Sequence, residues 1–231
     1  GGHGILDGKE GFWIMAGSDQ CDFKKMTQGL GREWLILGTD FKLHPSIAWS
    51  HPPFVALQKL IEQHAIKASD VAKVRVWNVG VTRIADYDPR GAVDAQFSLP
   101  YAVATTLLRE PLTPALYAER KIKSAPVRAM MKRIECIEDP QMDFDWFKRN
   151  IMRTRVEITL KNGKRVEQAA TFPDDKPKYG YQQVVAKLEA MSDGLLPVSR
   201  VGQIADTVER LDKLADVTVL ARLLVPARRS R

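Results

Sequence analysis

Cysteine is scarce: Cys21 and Cys136 are the two among 231 residues. That is too few for a disulfide framework, so both thiols are expected to be reduced and structural, as in a cytoplasmic protein. No run of about 18 or more apolar residues occurs, and no membrane-spanning helix is expected. The opening "GGHGILDGKEGF" is glycine-rich and polar, unlike a secretory signal. Its glycines do not join a strand to a helix, so they make no nucleotide loop. There is no internal repeat and no low-complexity tract. Histidine is also rare, four in all, and no Cys-rich or His-x3-His spacing supplies a metal set. No metal is expected.

Acidic residues are fewer than basic ones, 28 against 35, giving a net charge of +7. Part of the excess lies in the tail "PARRSR" and part is spread over 118 to 165. The aromatic residues do not interleave with the basic ones as in a nucleic-acid module. A small anionic substrate accounts for a local positive field, and no nucleic acid is expected as a partner.

What is present is the composition of a globular protein, 45% hydrophobic and 27% charged. The apolar stretch "EWLILGTDF", 33–41, reads as a buried strand. Ser50 is placed to cap a helix whose first turn holds Pro52 and Pro53, with Phe54, Leu57, Leu60 and Ile61 on one face. "VAKVRVWNV", 71–79, alternates as a strand, and 80–93 reads as a long loop. "DAQFSLPYAVATTLLRE", 94–110, is one apolar, buried helix, and short helices are expected near 114–120 and 124–131. "KRIECIED" reads as a strand, with Glu138 and Asp139 in a solvated turn after it. "RTRVEITLKNGKRVEQAATF" is a hairpin with Asn162-Gly163 as a type I′ turn. Beyond Pro177 the patterns are helical. The fold class expected is α+β: a two-layer region with a mixed or antiparallel sheet, then helices.

Chemistry concentrates in "FKLHPSIAWSHPPF", where Lys42, His44, Ser46 and His51 fall within ten residues. Lys42 is either a surface lysine at a strand end or a cation that binds a carboxylate in a cleft. His44 and His51 are packing residues, or a neutral-pH acid and base. Tyr101 is a core tyrosine with its hydroxyl on a backbone group, or a phenol presented to a site with Ser98 before it.

Two of these segments resemble a known family. "KLHPSIAWSH" is similar to the K-x-[YFH]-P-x-x-x-x-[ST]-H stretch of the MmgE/PrpD family. "DAQFSLPYAVATTLL" resembles its A-x-F-S-x-x-Y-x-x-A helix. The hairpin, the helix carrying Lys187, "LDGKEGFW", "GLGREWLI" and the closing "VERLDKLADVTVLARLL" fit the same order. The resemblance implies a lyase that handles small di- or tricarboxylates by proton chemistry without metal or organic cofactor. Dehydration of the 2-methylcitrate type is the preferred expectation, with decarboxylation or epimerisation as alternatives. It also implies a homodimer whose site lies between an all-helical domain and a smaller lid.

By that resemblance, residues 1–32 are a connecting segment from the helical domain, 33–176 the lid, and 177–231 a C-terminal helical segment. Only the C-terminal half of the family is represented. The chain is therefore expected to be shortened or to pair with a separate N-terminal helical polypeptide. Lys42, Tyr101 and His51 are implied as catalytic residues, and His44, Ser46 and Ser98 as substrate-binding. Many members carry Cys or His where this chain has Ile47, and often a basic residue at Ala48. A non-catalytic, dimerising module is the reading of a different class.

Overall fold

In the computed structural model, residues 12–17, 22–39, 41–42 and 44–226 are described. The chain forms two compact units, Gly1–Asp40 and Phe41–Arg231. Cys21 and part of "LDGKEGFW" lie outside the described residues. The first unit holds α1 (Phe12–Met15) and α2 (Phe23–Thr27), the latter capped by the Asp22 carboxylate accepting from the Lys24 N–H at 3.1 Å.

The strand expected over 33–41 is absent. Leu35–Gly38 is a turn of 3-10 helix instead, with Leu35 and Leu37 90% and 83% exposed. Its backbone groups close locally, Leu37 N–H to Trp34 O and Thr39 N–H to Ile36 O. A strand needs a neighbour to take those groups. The stretch has apolarity without alternation, which is a signal of burial rather than of strand.

The second unit begins with the loop that carries Lys42 and His44, then α3 (His51–His64). Phe54, Leu57, Leu60 and Ile61 are all buried, as the 3.6-residue period requires. Ser50 is at the N-cap, but its hydroxyl makes no cap bond; it donates back to the Ile47 carbonyl at 2.7 Å. Proline in the first turn removes N–H groups that such a cap would serve.

Strand β1 (Val71–Asn78) pairs parallel with β2 (Ile134–Glu138) and antiparallel with β3 (Met152–Leu160), which pairs antiparallel with β4 (Arg165–Phe172). The order is β2-β1-β3-β4, a mixed sheet in an α+β fold. Val74, Val76, Val156 and Ile158 are fully buried and alternate with Arg75, Trp77, Arg155 and Glu157 on the other face. On that face the Arg155 guanidinium lies 3.6 Å from the Trp77 ring centre.

A parallel β1–β2 pair demands a crossover. It is made by α4 (Val81–Ile84), α5 (Ala92–Phe97), α6 (Leu99–Leu107), α7 (Glu119–Ile122) and α8 (Ala125–Met131). The stretch 80–93, expected as loop, thus contains α4 and the first two residues of α5. The single helix expected over 94–110 is two helices, broken at Ser98. The Ser98 Oγ accepts from the Tyr101 N–H at 3.1 Å and donates to the Asp86 carbonyl at 2.5 Å. Pro100 follows inside the first turn of α6. Serine ahead of a first-turn proline is a helix start, and here it overrides the continuous apolar pattern.

After β2, the expected solvated turn is itself a cap: Asp139 accepts from the Gln141 and Met142 N–H groups and starts α9 (Pro140–Arg149). The hairpin forms as expected but with a different turn. Leu160 and Lys164 face each other across three residues, Gly163 alone has positive φ (85°), and its N–H closes on Leu160 O. That is the three-residue loop with a glycine bulge, whereas type I′ would also place Asn162 at positive φ. The chain continues through α10 (Tyr181–Met191), α11 (Val198–Glu209) and α12 (Thr218–Leu223). Among the described residues no helix is long and apolar enough to cross a membrane.

Candidate active site

The loop before α3 is fixed from several sides. Ile47 N–H donates to Gln96 O at 3.0 Å, tying the loop to α5. The Asn78 amide donates to Trp49 O at 2.8 Å, tying it to the end of β1. The Trp49 ring lies over Gly80, where a Cβ would fall 2.4 Å from ring carbon. Gly80 (φ 64°) therefore allows both the turn and the close approach.

Inside the loop the two serine hydroxyls satisfy one another and the backbone. Ser50 spends its proton on Ile47 O, so Ser46 Oγ is the donor in the 2.7 Å bond between the two hydroxyls. His51 Nδ1 lies 3.1 Å from Ile47 O; a carbonyl only accepts, so Nδ1 carries the proton. His51 Nε2 is then unprotonated, buried and without a hydrogen-bond partner. The His44 ring stacks on Phe54 at 3.5 Å, and its Nδ1 is likewise buried and unpartnered. Burial, with His51 beside it, lowers the His44 pKa to about 3. Burial also lowers that of His51, against the carbonyl bond that raises it. Both rings are neutral near pH 7.

A cavity of about 530 Å³ opens beside this loop. Its wall includes Lys42, His44, Ser46, Ile47, Gln96 and Lys187. Lys42 Nζ donates to Ser46 O at 3.2 Å, and Lys187 on α10 donates to the Lys42 carbonyl. Among the described residues neither ammonium has a carboxylate partner, and no Asp or Glu lines the cavity. Among the same residues no three His, Cys, Asp or Glu side chains gather as a metal set.

The structure thus brings Lys42, His44 and Ser46 to one cavity and leaves three expected site residues elsewhere. Ser98 is the helix cap described above. His51 does not line the cavity and holds the loop. Tyr101 is fully buried, its hydroxyl donating to Leu116 O, and burial followed by the Glu110 charge raises its pKa to about 12. In this chain Tyr101 thus has the geometry of a core tyrosine with its hydroxyl on a backbone group. Lys187 and Gln96 were not singled out as site residues. Lys187 stands 145 residues from Lys42, so no spacing could join them before the fold was known.

The sequence pattern of the MmgE/PrpD C-terminal domain matches residues 44–213. The chain belongs to the MmgE/PrpD family. The matched span of this MmgE/PrpD domain includes His44, Ser46, His51 and Lys187, and Lys42 lies two residues ahead of it. It is similar to a cis-aconitate decarboxylase of Aspergillus terreus, 22% identical over 214 residues, and to the cis-aconitate decarboxylase-like protein oryM of Aspergillus oryzae, 20% identical over 212. Each alignment covers 87% of this chain and 43% of the relative, so the chain spans less than half the length of these proteins.

Proposed function

We propose that this chain supplies the carboxylate-binding part of a lyase site for a small di- or tricarboxylate. The observation that carries the proposal is the cavity with two ammonium groups on its wall and, among the described residues, no carboxylate. An uncompensated pair of cations in a concave site is a binding field for carboxylate. Decarboxylation is the reaction we favour, ahead of the dehydration expected from the sequence, because the relatives are named for it. In that step the bond to one carboxylate breaks and carbon dioxide leaves. The electron pair stays on the adjacent carbon, which then takes up a proton. An ammonium against a remaining carboxylate lowers the energy of that charge as it spreads. The two ammonium groups are also proton donors at the wall. We assign Lys42 to this contact, His44 and Ser46 to the shape of the cavity beside it, and His51 to holding the loop.

Residues 33–176 as the lid and 177–231 as a helical segment complete the reading, with a helical polypeptide supplying the opposite wall and a homodimer as the assembly. Ile47 favours a second reading. It lines the cavity as a side chain that cannot move a proton, which suits a domain that binds polycarboxylate without turning it over.

The test is product formation followed by NMR, with cis-aconitate, citrate and 2-methylcitrate offered to the chain alone and with a candidate helical half. Carbon dioxide release from cis-aconitate supports the favoured reaction. Hydration or dehydration products alone overturn decarboxylation. Ligand-induced shifts without product support the second reading.

A further inference from the structure

We infer that Lys187 is the second carboxylate anchor of this cavity and makes the site selective for substrates with more than one carboxylate. The inference rests on the reading of the cavity as a carboxylate site and adds a residue and a selectivity to it. Lys42 and Lys187 reach the same wall from different elements, the loop before α3 and helix α10. Lys187 uses one of its three N–H donors on the Lys42 carbonyl. That bond fixes the ammonium beside the Lys42 backbone and leaves two donors for a ligand. The Lys42 ammonium is held in the same way, with one donor on Ser46 O. Among the described residues neither cation makes an ion pair, so a ligand displaces none of the described carboxylates.

Two cations held on one wall by neutral carbonyls suit a ligand with two separated negative groups. A monocarboxylate can satisfy one and leaves the other in water. A di- or tricarboxylate joins both, and the second contact is made within the bound complex at high effective concentration. Lys187 would then act on affinity for polycarboxylates and not on monocarboxylates. A purely structural tether would act on both alike, because it would shift Lys42 for every ligand.

The experiment is titration of the wild-type chain, Lys187→Gln and Lys187→Arg with tricarballylate and with butyrate, read by NMR shift changes, with folding checked by circular dichroism. Tricarballylate has the carboxylates of the proposed substrate class and no reactive double bond. Glutamine keeps an N–H donor but carries no charge. We expect Lys187→Gln to weaken tricarballylate about tenfold, as for loss of a charged hydrogen bond, and to leave butyrate unchanged. Lys187→Arg should restore most of the affinity. Equal weakening of both ligands, or no weakening of tricarballylate, overturns the role of Lys187 while the carboxylate site stands. If the wild-type chain binds neither ligand, the carboxylate site itself is wrong and the inference falls with it.

Discussion

Lys42 and Tyr101 were expected to share one task, and their surroundings separate them. Lys42 is exposed at the cavity, and Tyr101 is sealed in the core. Tyr101→Phe leaves the buried Leu116 carbonyl without its donor and should cost about 1–3 kcal/mol in denaturant unfolding, with carboxylate binding unchanged. Lys42→Ala should do the reverse, losing binding while stability changes by less than about 0.5 kcal/mol. The two buried histidines give a pH signature. In the unfolded chain His44 takes a proton near 6.5, but in the fold only near 3. Between those values the unfolded state binds more protons, so stability falls as pH falls through that window. The slope from such a group is at most about 1.4 kcal/mol per pH unit. Denaturant midpoints at pH 7 and 5 should show the loss, and His44→Gln should reduce it. In NMR the His44 ring should not titrate between those pH values.

At the scale of elements, Ser98 and Gly163 carry the connections. Ser98→Ala removes the cap of α6 and the anchor on Asp86 and should cost about 1–2 kcal/mol, read from the denaturant midpoint. Gly163→Ala forces a Cβ into positive φ and should cost about 1 kcal/mol in the same assay, although open space surrounds the site. These positions also show what could be read from the chain. β1, β2 and the hairpin were legible because residues such as Val74, Val76, Val156 and Ile158 alternate with polar neighbours, and α3 because its apolar residues recur at helical spacing. The break at Ser98 was hidden by apolar residues on both sides. Helix α9 was missed because Asp139 looks like a turn until its carboxylate is seen on two N–H groups. The run Leu35 to Leu37 misled because apolarity does not name the partner that would bury it.

For the whole molecule, the loop of Lys42 could be found from the crowding of Lys, His and Ser in ten residues, and its neighbour Lys187 could not. Their meeting depends on the sheet, on α3, and on α10 returning to the loop. The account rests on that meeting, a cavity whose charge is uncompensated by carboxylates among the described residues. Isothermal titration of cis-aconitate into the wild-type chain and into Lys42→Ala tests it most directly. We predict saturable binding to the wild type that weakens as salt is raised, and at least tenfold weaker binding to the variant. Equal affinity in the two proteins, or no binding to the wild type, would contradict the account.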